Sequence, residues 1–435
     1  MRIAKIKIRN YKSFKESQEL ELTSGFNIIA GQNNTGKTAL LEALSLKFNK
    51  NPHRSLSTMP SRDTILEPSS SVDISIAISR EELASILAAQ GPNVQLSFAV
   101  PRYPSNFSKE CGYTANDEAN VARLVQWVLD QQQQTLTVRI EKGPTETWAA
   151  IQPPANGLYE AQTSNNNILY ATVQILHQRQ TRLLSFGSQP PTADFGATIV
   201  RSAVSRIFRF SAERLNVGTC PVGTNVQLDQ NAANLAEVLS CLNQNPVLFQ
   251  NFNQLVHEIF PQVQQVTVRQ VANQRAQIMV WQHDPTTTRE DLAVPLEESG
   301  TGIGQVLAIL YVAVHSPFAA VIAIDEPQSF LHPGAARKLI DVLARYPKHQ
   351  FIVSTHSPSV ISAADPDVIN VTRLEAAETK VEQVRSDDRK ALQFVLAEIG
   401  AHLSDVFGAD DVLWVEGTTE EICFPLSCAT WQACD

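Results

Sequence analysis

Gly31-Gln32-Asn33-Asn34-Thr35-Gly36-Lys37-Thr38 fits the pattern G-x-x-x-x-G-K-[ST], a loop whose backbone N–H groups wrap phosphate oxygens. Its flanks supply the context the pattern needs. Gly25-Phe26-Asn27-Ile28-Ile29-Ala30 is short, apolar and strand-like, and Ala39-Leu40-Leu41-Glu42-Ala43-Leu44 is built of helix formers. Glycine lets the backbone turn its amides inward, and the helix that follows offers the positive end of a dipole. On this pattern Gly31, Asn33, Asn34, Thr35, Gly36 and Ala39 line a nucleotide. Lys37 reaches its β- and γ-phosphates, and the Thr38 hydroxyl holds Mg²⁺. A glycine turn beside a surface lysine would need neither flank. The stretch predicts binding of ATP with Mg²⁺.

The 435 residues suffice for roughly two or three domains with buried cores. Hydrophobic content of 43% and charged content of 18% are those of a globular protein, and the net charge of −9 excludes a bulk polycation. Any contact with nucleic acid must therefore come from a local basic patch. Cys111, Cys220, Cys241, Cys423, Cys428 and Cys434 show no CxxC pairing and give no zinc site; they fit reduced thiols in a cytoplasm. Met1 to Ile8 alternates apolar and basic residues as a strand does and is no signal peptide. The most apolar region, Val306 to Ile324, is broken by His315-Ser316-Pro317 and reads as helix then strand, not as a membrane span.

Along the chain, residues 1–30 read as two or three antiparallel strands leading into the phosphate loop, and residues 1–62 as the N-terminal half of an ATPase lobe. Residues 63–200 read as an inserted β/α layer: Val72 to Ile78 alternates, Arg80 to Ala89 is helical, Val94 to Val100 and Thr135 to Glu141 are strands, and Asn116 to Gln131 is a helix. Residues 201–375 read as the C-terminal half of the lobe. In it Arg206 to Phe210 is a strand, Asn231 to Leu242 and Pro246 to Phe260 are helices, and Gln265 to Val271 and Ala276 to Trp281 are strands. No heptad repeat persists between Lys37 and Ser299, which excludes a long coiled-coil arm.

A phosphate loop binds nucleotide without by itself hydrolysing it. Beginning 282 residues after Lys37 (319 − 37), Ala319-Ala320-Val321-Ile322-Ala323-Ile324-Asp325-Glu326 reads as a buried parallel strand ending in two acids. At a strand's carboxyl end Asp325 is placed to hold Mg²⁺ and Glu326 to act as general base on the attacking water. Upstream, Ser299-Gly300-Thr301-Gly302 precedes a helix expected over Val306 to Val314 and forms an anion site of the helix-terminus kind. A second such site beside one phosphate loop suggests a nucleotide shared between two subunits. His349 to His356 is another buried strand, and His356 at its end is placed to touch a γ-phosphate.

The order of these blocks, with Phe330-Leu331-His332-Pro333 and Thr355-His356-Ser357-Pro358, resembles ABC-type ATPase heads, and in detail the OLD (overcoming lysogenisation defect) family. Ile8-Arg9-Asn10-Tyr11-Lys12-Ser13-Phe14 and Ala212-Glu213-Arg214 are similar to that branch as well. The resemblance covers residues 1–50 and 205–375. It implies an α/β ATPase head, a mixed sheet with flanking helices. It also implies a head-to-tail homodimer or higher oligomer, with Lys37 and Thr38 of one subunit facing Ser299, Gly300, Thr301 and Gly302 of another across ATP. The glutamine loop of such heads has no recognisable counterpart.

Residues 376–408 read as linker strands and a helix, Leu374 to Val384 and Asp387 to Ile399. Val412-Leu413-Trp414-Val415-Glu416-Gly417-Thr418-Thr419-Glu420 is similar to the opening of a Toprim nuclease domain, which follows the ATPase in OLD proteins. Glu416 would be its metal-binding acid. No Asp-x-Asp pair follows within the 19 residues after it, so residues 409–435 are expected to be an incomplete, Toprim-like stub without nuclease activity of its own. The resemblance implies an ATPase that controls DNA or a separate nuclease effector, in anti-phage defence. The rivals are an ATP-locked scaffold with slow turnover and a DNA-repair ATPase head.

Overall fold

The computed structural model describes residues 1–44, 67, 69–89, 94–99, 133–142, 147–152, 163–164, 167–168, 170–175, 181–187, 195–211, 218–287 and 289–386. The expected helices Asn116 to Gln131 and Asp387 to Ile399, the Ala212-Glu213-Arg214 block and Glu416 with residues 409–435 lie outside the described residues.

The chain opens with β1 (Arg2–Tyr11), β2 (Phe14–Glu16) and β3 (Leu20–Glu21), both of the latter antiparallel to β1. Period-two alternation decides which side of β1 is buried. Ile6 and Ile8 point into the core, while Lys5 and Lys7 point out to Glu19, Glu21 and Glu16. β4 (Phe26–Ala30) then leaves for a second sheet, and the phosphate loop leads into α1 (Lys37–Leu44). β5 (Ser70–Ser79) returns to the first sheet, antiparallel to β1 from Arg2↔Ala77 to Arg9↔Ser71, and β7 (Gln133–Lys142) and β8 (Thr147–Gln152) extend it. Much of the stretch read as an insertion is thus continuous with the lobe's own N-terminal sheet. Between β5 and β7, α2 (Arg80–Ala88) starts at a capping box: Ser79 Oγ accepts from the Glu82 amide, and the Glu82 carboxylate accepts from the Ser79 amide. β6 (Val94–Ala99), β11 (Tyr170–Ile175) and β12 (Thr181–Gly187) form a separate antiparallel sheet.

The second sheet positions the site. Its order is β13 (Ile207–Phe210), β18 (Val321–Asp325), β19 (Gln350–Thr355), β4, β20 (Val368–Glu375) and β21 (Glu378–Arg385). The first five strands run parallel and β21 is antiparallel to β20. Both faces are buried, which explains why these strands read as unbroken apolar runs. Ile28, Ala30, Ile322, Ile324, Phe351 and Val353 belong to one core with α4 (Leu235–Asn243), α5 (Pro246–Ile259), α6 (Thr301–His315) and α7 (Pro333–Leu343). Ile29, Val321, Ala323 and Ile352 belong to the other core, with α1, α2, β1 and β5. Helix α1 is sandwiched there: Leu40, Leu41 and Leu44 are at most 1% exposed. Each such leucine contributes about 1.5–3 kcal/mol by burial, so Leu41→Asp would part the two sheets.

Helix α6 begins at Thr301, five residues before the start expected from sequence. Gly302 and Gly304 weaken the helical pattern, but Ile303, Val306, Leu307, Ala308, Ile309 and Leu310 are all buried, and that packing overrides propensity. Among the described residues no helix is long and apolar enough to cross a membrane.

Candidate nucleotide site

Register brings the chemistry together. β4 pairs with β19 and β19 with β18, so the carboxyl ends of three adjacent parallel strands lie side by side: Ala30 opposite Thr355, and Ser354 opposite Asp325. The phosphate loop leaves the first end, Asp325 and Glu326 the third, and His356 the middle one. In a parallel sheet this is where ligands bind.

The loop takes the shape its residues permit. Gly36 has φ +98°, a conformation that side chains resist, and Asn34 has φ +66°, which asparagine tolerates. Lys37 is 5% exposed and folds back on its own loop: Nζ donates to the carbonyls of Gly31 (2.9 Å) and Gln32 (2.8 Å). Its third partner is Glu326 Oε1, at 2.9 Å. Thr38, at the mouth, is exposed and Ala39 is buried.

Glu326 sits just past β18 in the left-handed region, φ 48° and ψ 63°. Its carboxylate meets three donors: Lys37, His356 Nδ1 at 2.9 Å, and Gln328 Nε2. Gln328 Nε2 also lies 3.2 Å from His356 Nδ1, and Gln328 Oε1 accepts from Thr355 Oγ1 at 2.9 Å. The Glu326 contact places a proton on His356 Nδ1; Gln328 Nε2, itself a donor, then donates to Glu326 and merely adjoins the ring. Asp325 is 2% exposed and accepts from Ser354 Oγ, and the same Oγ accepts from the Glu326 amide at 3.2 Å. One serine thus orients both acids. A buried Lys–Glu pair survives desolvation only with such extra hydrogen bonds; removing either partner leaves a costly unpaired charge.

Ser299 to Gly302 lies elsewhere. Ser299 Oγ donates to the Pro295 carbonyl (3.1 Å), and Gly300 is exposed as the N-cap of α6. Gly302 packs against the turn after β18: a Cβ there would come 2.2 Å from the Phe330 carbonyl oxygen. Among the described residues no hydrogen bond or ion pair joins Ser299–Gly302 to Gly31–Ala39. Gly300, Gly302, Phe330, Leu331 and His332 instead line a shallow groove of about 790 Å³.

The sequence pattern singled out neither Ser354 nor Gln328, nor Thr372 and Thr379, which touch the loop from behind. The signal available was a hydroxyl inside an otherwise apolar strand, as in Phe351-Ile352-Val353-Ser354-Thr355 and Val368-Ile369-Asn370-Val371-Thr372. Lys12 and Ser13, from the stretch likened to the OLD branch, flank the site: Lys12 pairs with Glu42 of α1, and Ser13 bonds Thr379 at 2.7 Å.

Two family models match. Residues 1–182 are similar to an AAA ATPase domain, and residues 222–362 to an AAA domain described as putative AbiEii toxin, Type IV TA system. No curated protein matches. Solved structures that resemble the chain include an SMC head bound to the C-winged helix domain of ScpA, with TM-score 0.48, 13% identity, and 89% of this chain and 99% of that one covered. Others are the SMC head domain from Thermotoga maritima (0.41, 13%, 88% and 100%) and a Pyrococcus furiosus Smc head with an extended coiled coil bound to the C-terminal domain of ScpA (0.47, 11%, 90% and 98%). The loop, the strand order and the two matched models together give an α/β fold similar to AAA-type P-loop ATPase domains.

Proposed function

We propose that this chain is an ATP hydrolase of the OLD family that closes as a homodimer or larger assembly around ATP and controls a DNA-directed effector. The observation that carries this is the Lys37–Glu326–His356 chain of contacts at the ends of three neighbouring strands. Lys37 is neutralised by Glu326; a γ-phosphate would take that place, free Glu326 and leave Lys37 still paired. Released, Glu326 accepts the proton of a water attacking the γ-phosphorus as the bond to the β-phosphate oxygen breaks, and His356 donates its ring N–H, no longer held by Glu326, to a γ-phosphate oxygen. The donor set fits Mg²⁺: the Thr38 hydroxyl and the Asp325 carboxylate are hard oxygen donors of the kind that would hold such an ion. A bound ion would neutralise charge on the phosphoryl oxygens.

The separation of Ser299–Gly302 from the loop within one chain supports a shared nucleotide, with Ser299, Gly300, Thr301 and Gly302 acting on the ATP held by a second copy. The resemblance to OLD heads supports a nuclease effector and a role in anti-phage defence; the toxin description of the model matched over 222–362 is compatible with such an effector setting. The test is calorimetry and turnover on three chains. Wild type should bind and hydrolyse ATP with Mg²⁺, Lys37→Ala should not bind, and Glu326→Gln should bind without turning over. Nucleotide affinity in Lys37→Ala equal to wild type would sink the assignment. Stimulation of turnover by DNA, against stimulation by a protein partner only, separates the nuclease controller from an ATP-locked scaffold.

A further inference from the structure

The back of the phosphate loop is closed by one hairpin. A Cβ on Gly31 would lie 2.4 Å from Thr372 Oγ1, and one on Gly36 2.4 Å from Thr379 Oγ1. Thr372 stands on β20 and Thr379 on β21, both at most 1% exposed. Thr372 Oγ1 lies 2.7 Å from Thr35 Oγ1, whose own proton goes to the Gln32 carbonyl at 2.8 Å. Thr379 Oγ1 lies 2.9 Å from the Thr35 carbonyl and 2.7 Å from Ser13 Oγ. A carbonyl only accepts, so the single proton of Thr379 goes to Thr35 and Ser13 supplies the other bond. The hydroxyls therefore run Ser13 to Thr379 to the loop backbone, and Thr35 to Gln32, while the single proton of Thr372 faces both Thr35 Oγ1 and the Ala30 carbonyl at 3.2 Å. The Gln32 carbonyl is also one of the two that hold Lys37.

We propose that Thr372 and Thr379 are positioning residues of the nucleotide site, setting the curvature of the loop and with it the affinity for a nucleoside triphosphate. This rests on the phosphate-loop reading above. Neither hydroxyl bonds Asp325, Glu326 or His356, so they act on binding and not on the chemical step. Valine keeps the shape of threonine and removes the hydroxyl, leaving buried loop acceptors unpaired.

The experiment measures calorimetric affinity for a non-hydrolysable ATP analogue, steady-state turnover and melting temperature in the full chain. Thr379→Val and Thr372→Val should each weaken binding and raise KM by about tenfold with kcat within about twofold. Thr379→Ser should restore wild-type binding. Ser13→Ala, which loosens Thr379 without altering the hairpin, should give an intermediate loss of about threefold and decides the matter if a valine variant does not fold. Valine variants that melt normally and bind like wild type overturn the proposal, as does a fall in kcat at unchanged KM. Wild type that binds no ATP overturns the phosphate-loop reading itself, and this proposal with it; wild type that binds while Lys37→Ala does not, beside unaffected threonine variants, overturns this proposal alone.

Discussion

Two histidines flank strand β19 and face opposite fates. His349, just before Gln350, is fully buried with both nitrogens committed: Nδ1 accepts from the Ala320 amide at 3.0 Å, and Nε2 lies 2.9 Å from the Ala313 carbonyl. Burial, with Lys348 adding to it, pushes its pKa down to about 4. His356, just after Thr355, keeps 44% of its side chain exposed and bonds Glu326 through Nδ1, and among the described residues no hydrogen bond engages its Nε2. The amino end of the strand is closed by pinning the end of α6 to the start of β18. The carboxyl end is left with charge, donors and access. A residue type shared by two ends of one strand is structural where both nitrogens are spent and available for chemistry where one is not.

The largest effects should fall at the open end. Glu326→Gln should cut turnover by about a hundredfold or more while nucleotide binding persists; normal turnover would place the base elsewhere. His356→Ala should lower kcat by about tenfold or more at an unchanged melting temperature. His349→Ala should do the reverse, lowering stability by about 2–4 kcal/mol because a buried amide and carbonyl lose their partner, with turnover intact in the molecules that remain folded. If both variants lose activity at full stability, the contrast between the two ends collapses.

Acid should expose the closed end by itself. His349 titrates near 6.5 when unfolded and near 4 in the fold. Its contribution is therefore complete above about pH 6.5 and falls, by about 3 kcal/mol in total, as pH drops toward 4. Denaturant melts of wild type and His349→Gln should converge across that window; a constant gap between them would refute the assignment. The smallest expected signal is complementation. Lys37→Ala chains mixed with Ser299→Arg chains should regain a fraction of wild-type ATPase activity, since a mixed pair holds one intact composite site. No recovery with proven subunit exchange counts against shared nucleotide.

Much of this site could be read from residue order, because phosphate chemistry demands glycines, a lysine and strand-end acids at fixed places. Strands β4, β18 and β19 announced themselves as apolar runs because both faces of their sheet are buried. What stayed hidden depended on partners remote in sequence. That Ser354 links Asp325 to Glu326 is a matter of sheet register. The strand pair read over Leu374 to Val384 is the β20–β21 hairpin, but its start at Val368 and its turn went unmarked, since Ala376 and Ala377 occupy the turn with φ 47° and 62° where Asn-Gly would have signalled it. The pairing of β5 with β1 crosses a long intervening stretch and leaves no local mark.

The contact between that hairpin and the phosphate loop also bears on inheritance and on engineering. Thr35 and Thr372 are 337 positions apart, yet neither glycine flanking Thr35 can gain a side chain while the threonines behind it stay. A chimera that imports the first fifty or so residues from a relative must import the hairpin with them, or carry mismatched halves. In an alignment, position 36 should stay glycine, since a Cβ there meets Thr379 Oγ1 at 2.4 Å on a backbone with φ +98°. The motif that looks like eight consecutive residues is, as a heritable unit, two segments 337 positions apart in the chain.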